Sequence, residues 1–156
     1  KENVPHNTVG ENVSIILYGI NKWANENKMD AVIHIHFNDH LRANNWTVGK
    51  YKGFAVYMPD GQMGNSKESA LLAGSIFEQL NKKYATSNYE KELGGLVPDQ
   101  KLIALGANNT LVSTARSVLI EYGYIYRFGN SANRPGHYDT MANLTATGIK
   151  NLFFPK

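Results

Sequence analysis

Residues 31–37, Ala31-Val32-Ile33-His34-Ile35-His36-Phe37, decide how this chain is read. Apolar residues alternate with a period of two. That puts Ala31, Ile33, Ile35 and Phe37 on one side of a strand and Val32, His34 and His36 on the other. Upstream, residues 12–28 place Val13, Ile16, Leu17, Ile20 and Ala24 on one helical face, opposite Asn, Lys and Glu. Downstream, residues 51–58 read as a second strand ended by the turn Pro59-Asp60-Gly61. Asn65 followed by Glu68 resembles a capping box opening a helix through about Lys83, with Leu72, Ala73, Ile76, Phe77 and Leu80 inward.

Residues 84–100 are polar and read as a loop, and Lys101 to Leu105 as a short strand closed by Gly106. Residues 117–121 form an apolar run ending at the carboxylate of Glu121. Met141, Leu144, Ile149 and Leu152 recur at helical spacing and predict a terminal helix over 138–153. Strands alternating with helices predict an α/β domain of three layers, a mostly parallel central sheet flanked by helices. Ligand sites in such sheets lie at the carboxyl ends of strands, and both His36 and Glu121 fall near predicted strand ends.

Composition narrows the functional classes. With 156 residues, 42% hydrophobic and 11% aromatic, the chain (1–156) is one globular domain with enough apolar area for a core. No run approaches the roughly 18 apolar residues a membrane span needs. The start shows no basic-then-apolar pattern, so no signal peptide is expected in this chain. Sixteen Lys and Arg against thirteen Asp and Glu give a scattered +3, without the basic stripe of a nucleic-acid partner. No pattern points to an oligomeric state. Cysteine is absent, which removes disulfides, Cys-ligated zinc, iron–sulfur clusters and thiol nucleophiles together. Any metal must therefore rest on His, Asp and Glu. Three of the five histidines, His34, His36 and His40, fall within seven residues.

His34 and His36 share a strand face with Cα atoms roughly 6.6 Å apart, close enough for two imidazoles to meet one ion. The spacing points to metal binding by at least one of them. A core histidine bonded to backbone is the better reading of His34, and metal ligation the better reading of His36. Glu121, at the end of a buried run, is costly to desolvate without a partner or a task. A general base beside a metal-activated water is one such task, and an ion pair with Arg or Lys is the competing one.

These residues carry a family resemblance. Ile20-Asn21-Lys22-Trp23-Ala24-Asn25 followed by Asp30 to Asn38 resembles the zinc-dependent N-acetylmuramoyl-L-alanine amidases. In that family a helix ends in Ala-Asn, and an apolar strand carries a zinc-binding His two residues before an Asn. His36 and Asn38 fall on those positions, and His34 falls where the family usually has Ser. Ser117 to Ile125 is similar to the family's second signature, with Glu121 on its catalytic glutamate. The likeness runs from about 12 to 154.

The resemblance implies a peptidoglycan or muropeptide substrate, a Zn2+ cofactor with His36 as ligand, and Glu121 as general base. Asn38 and His34 become candidates for substrate contact or for support behind the ligand. It also implies a cell-envelope setting, periplasmic or secreted. The family's other two ligands, a His and a Glu, come from an earlier strand and helix. His6 and Glu11 do not match that pattern, so the N-terminal part of the domain, and with it two of the three protein ligands, is expected to be missing from this chain.

Two alternatives stand beside it. One is a cell-wall-binding domain that kept the fold and lost the metal. The other is a metallo-β-lactamase-like hydrolase, since His34, His36, Asp39 and His40 approach its His-x-His-x-Asp-His signature, one residue out of step, with His137 as the only late histidine.

Overall fold

The computed structural model describes residues 11–45, 47–61, 63–99, 102, 104, 115–128 and 134–155, apart from the side chains of 11–15, 17 and 134–137. Helix α1 runs over Glu11–Glu26, strand β1 over Ala31–Asn38, β2 over Ala55–Pro59, helix α2 over Ser66–Asn81, β3 over Leu96–Asp99, β4 over Arg116–Tyr124 and helix α3 over Arg134–Phe153. The strands form one sheet in the order β1-β4-β2-β3. β1 runs parallel to β4 and β2 parallel to β3, whereas β2 and β4 are antiparallel. The fold is α/β, as expected. The sheet is mixed rather than mostly parallel, because β4 joins a parallel partner on one side and an antiparallel one on the other.

The alternation in β1 sorts the two faces of the sheet. Ile33 and Phe37 pack with Val118, Ile120, Tyr122, Phe54 and Val56 on one face. Against that face lie Leu72, Ala73, Ile76 and Leu80 of α2 and Met141, Leu144, Ile149 and Leu152 of α3, as their spacing predicts. The two helices meet closely at Gly148, where an added Cβ would lie 2.6 Å from the Ile76 Cα. Ser75 donates to the Gly148 carbonyl at 2.7 Å across the same contact.

Helix α1 lies on the opposite face, where Ala24 packs with Val32 and Ala115. Of the expected stripe, Ala24 is buried, Ile16 and Ile20 are not, and the side chains of Val13 and Leu17 lie outside the described residues. Ile16 is 62% exposed and Ile20 40%, while Asn21 and Ala24 are buried. Near its C-terminal end the helix turns Asn21 and Ala24 inward.

Several boundaries move for local reasons. β2 begins at Ala55 instead of 51, because Lys52 and Phe54 bond to the 87–88 segment: Ser87 N–H donates to the Phe54 carbonyl at 2.8 Å and Asn88 N–H to that of Lys52 at 3.1 Å. Gly53 makes this close passage possible, with φ +92° and no room for a Cβ beside the Thr86 carbonyl. The expected loop 84–100 contains a 3-10 turn at Glu90–Glu92 and then β3, whose Pro98 sits on an edge strand of the described sheet. Of the strand expected at 101–105 only Leu102 and Ala104 are described, and Ala104 lies in a helical turn. Asn65 does cap the start of α2 in position, but its side chain turns inward and donates to the Ala115 carbonyl at 3.1 Å.

Candidate active site

Strand register assembles the site. His34 pairs with Leu119 and His36 with Glu121 across the parallel β1–β4 ladder. Ala55 pairs with Glu121 and Tyr57 with Leu119 across the antiparallel β4–β2 ladder. Residues in register share a face, so His34, His36, Glu121 and Tyr57 all project away from the α2–α3 core. The His34 and His36 ring centroids lie 6.1 Å apart at an interplanar angle of 69°. His36 is exposed, and His34 and Glu121 are half-buried.

The pairing slips by one residue beyond His36, since Asn38 is opposite Tyr124 rather than Gly123. The extra residue in β4 sits at Tyr122-Gly123, where Gly123 has φ +146°. Tyr122 stays with the core and shares a 2.8 Å hydrogen bond with Thr145 of α3. Tyr124 is thereby turned to the His36 side. A bulge that re-aims one side chain beside a site is a recurrent device of β structure.

That side chain meets a buried carboxylate. Glu92, from the 3-10 turn, is 1% exposed. It accepts from the Tyr57 hydroxyl at 2.7 Å, from the Tyr124 hydroxyl at 2.9 Å and from the Asn38 amide. Burial, together with Glu92, pushes both phenols well above their ordinary range. Asn38, a candidate for substrate contact or for support, therefore has its amide directed at Glu92. Nothing in the sequence marks Glu92 as buried, since Glu90-Lys91-Glu92 reads as a solvated charge run in a loop.

Glu121 has no such donors. Its Oε2 is buried without a hydrogen-bond partner. Burial foremost, and then the neighbouring Glu92 carboxyl, raise its pKa from the ordinary 4.5 to about 7. Among the described residues the expected competitor, an ion pair at Glu121, is not formed: Arg116 bonds instead to Glu68 at 2.8 Å. His34 Nε2 is likewise buried without a partner. Burial, and next the adjacent His36, lower its pKa.

A group of three or more His, Asp or Glu arranged to hold a metal ion is absent among the described residues. His6 lies outside the described residues, as does the Glu11 side chain. His40 stands apart from the sheet face, its ring 4.7 Å from Tyr51 and 5.4 Å from Tyr89. The His137 side chain is not described. Past the end of β1, Asp39, His40, Leu41, Arg42 and Asn45 line an open groove.

Comparison with known proteins bears on this arrangement. The family model described as N-acetylmuramoyl-L-alanine amidase matches residues 6–151. No match was found among curated proteins. Among solved structures, the chain is similar to an N-acetylmuramyl-L-alanine amidase from Mycobacterium smegmatis, with 20% identity and a TM-score of 0.69 over 90% of this chain. The counterpart from Mycobacterium abscessus gives 19%, 0.68 and 88%. The catalytic domain of an endolysin targeting Clostridia difficile gives 21%, 0.60 and 94%, and the match covers 68% of that domain. The chain spans 61% of the length of each mycobacterial enzyme.

Proposed function

Because the chain belongs to the N-acetylmuramoyl-L-alanine amidase family, we propose that it hydrolyses peptidoglycan at the amide joining the lactyl group of muramic acid to L-alanine. The supporting observation is the register of His36 with Glu121 on adjacent parallel strands, which sets an imidazole beside an unpaired carboxylate. The proposed setting is the cell envelope, where that substrate lies. No helix among the described residues is long and apolar enough to cross a membrane.

The donor set suits a divalent cation of zinc's kind: an exposed imidazole at His36, with the unbonded Nε2 of His34 behind it. His36 would hold the ion, and when bound it supplies Lewis acidity toward the scissile carbonyl and the attacking water. Glu121 takes the proton of that water and returns it to the leaving amine of L-alanine. A carboxyl whose pKa lies near 7 suits both halves of this task, since it neither clings to the proton nor refuses it at neutral pH. Tyr57, Tyr124 and Asn38 bind no reacting atom in this scheme. They hold Glu92, and Glu92 presses on Glu121.

The test is release of new L-alanine amino termini from purified peptidoglycan, in the presence of added Zn2+. Glu121→Ala is expected to lower turnover by about 10²–10⁴-fold, the usual loss for a general base. Full turnover in that variant would remove Glu121 from the chemistry. A chain that binds muropeptide but releases no amine, with or without added Zn2+, is a binding domain instead.

A further inference from the structure

We propose that His34 is a second imidazole ligand of the cation held by His36, so that β1 presents a paired nitrogen donor set. The inference deepens the site reading above and rests on it. Three observations converge.

The first is placement. His34 and His36 stand on one face of one strand with ring centroids 6.1 Å apart. Two imidazoles on one tetrahedral ion, each bonded at 2.0–2.1 Å, have centroids roughly 5 Å apart. A side-chain rotation that moves the rings about 1 Å closer completes the geometry. The exposed ring of His36 has the freedom to make it.

The second is the free nitrogen. His34 Nε2 is buried and has no hydrogen-bond partner. A neutral imidazole protonated on Nδ1 carries its lone pair on Nε2, where a metal ion is bound.

The third is cost. A buried polar atom without a partner is disfavoured by about 1–3 kcal/mol and is uncommon in native structures. His34 Nε2 is such an atom. Its register partner across the ladder is Leu119, which offers no polar atom to Nε2. A cation shared with His36 satisfies that atom and leaves Glu121 free for proton transfer.

The experiment measures Zn2+ binding to the chain by competition with a chromophoric chelator, and counts imidazole ligands by X-ray absorption. His34→Ser, His34→Asn and His36→Ala are compared, with circular dichroism as the check on folding. The Asn variant keeps a polar side chain at this position and deletes Nε2, so it separates ligation from support. The expected result is one ion per chain with two imidazoles. Both His34 variants should then bind at least ~10-fold more weakly and lose one imidazole. If His36→Ala abolishes binding while both His34 variants bind as the parent with an unchanged count, His34 is no ligand and the site reading survives. If the parent binds no Zn2+, or His36→Ala binds as the parent does, the site reading fails and His34 ligation fails with it.

Discussion

His36 and Glu121 are register partners on neighbouring parallel strands, so their Cα atoms are separated only by the width of one ladder. Between them in sequence lie two strands and a helix, yet no side chain intervenes in the sheet. The pairing sets the expectations for pH. In the folded chain Glu121 holds its proton up to about pH 7, whereas in the unfolded chain it loses it near the ordinary 4.5. Between those values the native state binds more protons than the unfolded state, so stability falls as pH rises through this window. Without added metal, the unfolding free energy from urea titration should decline from pH 5 to pH 7, by at most about 3 kcal/mol since the carboxyl is not fully buried. Glu121→Gln should flatten that decline and leave the protein more stable at pH 7.

Glu92 supports a prediction of opposite sign. Glu92→Ala strips the acceptor from Tyr57, Tyr124 and Asn38 at once. Each buried donor left unpaired costs about 1–3 kcal/mol, so the loss should be about 3 kcal/mol or more in denaturant unfolding. Glu92→Gln keeps one carbonyl acceptor and should cost less. It also removes the charge that presses on Glu121, so the pH window of the preceding prediction should shift to lower pH.

Two helical glycines should respond in opposite directions to the same substitution. Helix propensity alone favours alanine over glycine by about 1 kcal/mol. At Gly74 in α2 an added Cβ meets nothing within 4 Å, so Gly74→Ala should gain about 0.5–1 kcal/mol. At Gly148 the same atom would sit 2.6 Å from the Ile76 Cα and 2.8 Å from the Ser75 carbonyl oxygen, both backbone atoms. The helices must part to admit it, so Gly148→Ala should lose about 1–3 kcal/mol. Thermal unfolding of the two variants side by side checks both signs.

Arg116 ties three elements together from the first position of β4. Its guanidinium bonds Glu68 in the first turn of α2 at 2.8 Å and lies 4.8 Å from the ring centroid of Phe153 at the end of α3. Arg116→Ala should cost about 1–2 kcal/mol, with the ion pair supplying at most about half. In 1 M NaCl the difference from the parent should shrink without vanishing, because salt screens the Glu68 pair more than the ring contact.

Much of this was legible before any coordinates. The alternation at 31–37 specified β1 and its two faces, and the spacing of Leu72, Ala73, Ile76 and Leu80 specified the buried side of α2. Both signatures came to lie side by side. What escaped was non-local. The antiparallel pairing of β2 with β4 has no signal in either strand, since both read as short apolar runs. α1 was misjudged because its apolar stripe at Ile16 and Ile20 faces outward, and a periodic pattern cannot say which partner it will find. β3 was hidden by Pro98 and a polar surround, and Glu92 by a charge run that looks solvated. Tyr124 escaped for a different reason: simple alternation assigns it to the core side, and only the bulge at Gly123 reverses that.

The position of β4 in the sheet has a consequence for the order of assembly. β1 reaches no described neighbour except β4, and β2 meets it on the other flank, yet β4 is the last of the described strands in chain order. A ribosome-bound chain that has emerged only as far as α2 does not yet contain the described strand that pairs with the histidine-bearing β1. Closure across so long a stretch of chain is entropically demanding and slow, a topology of high contact order. Among the described strands, the imidazoles of β1 therefore meet the carboxylate only once β4 has been made.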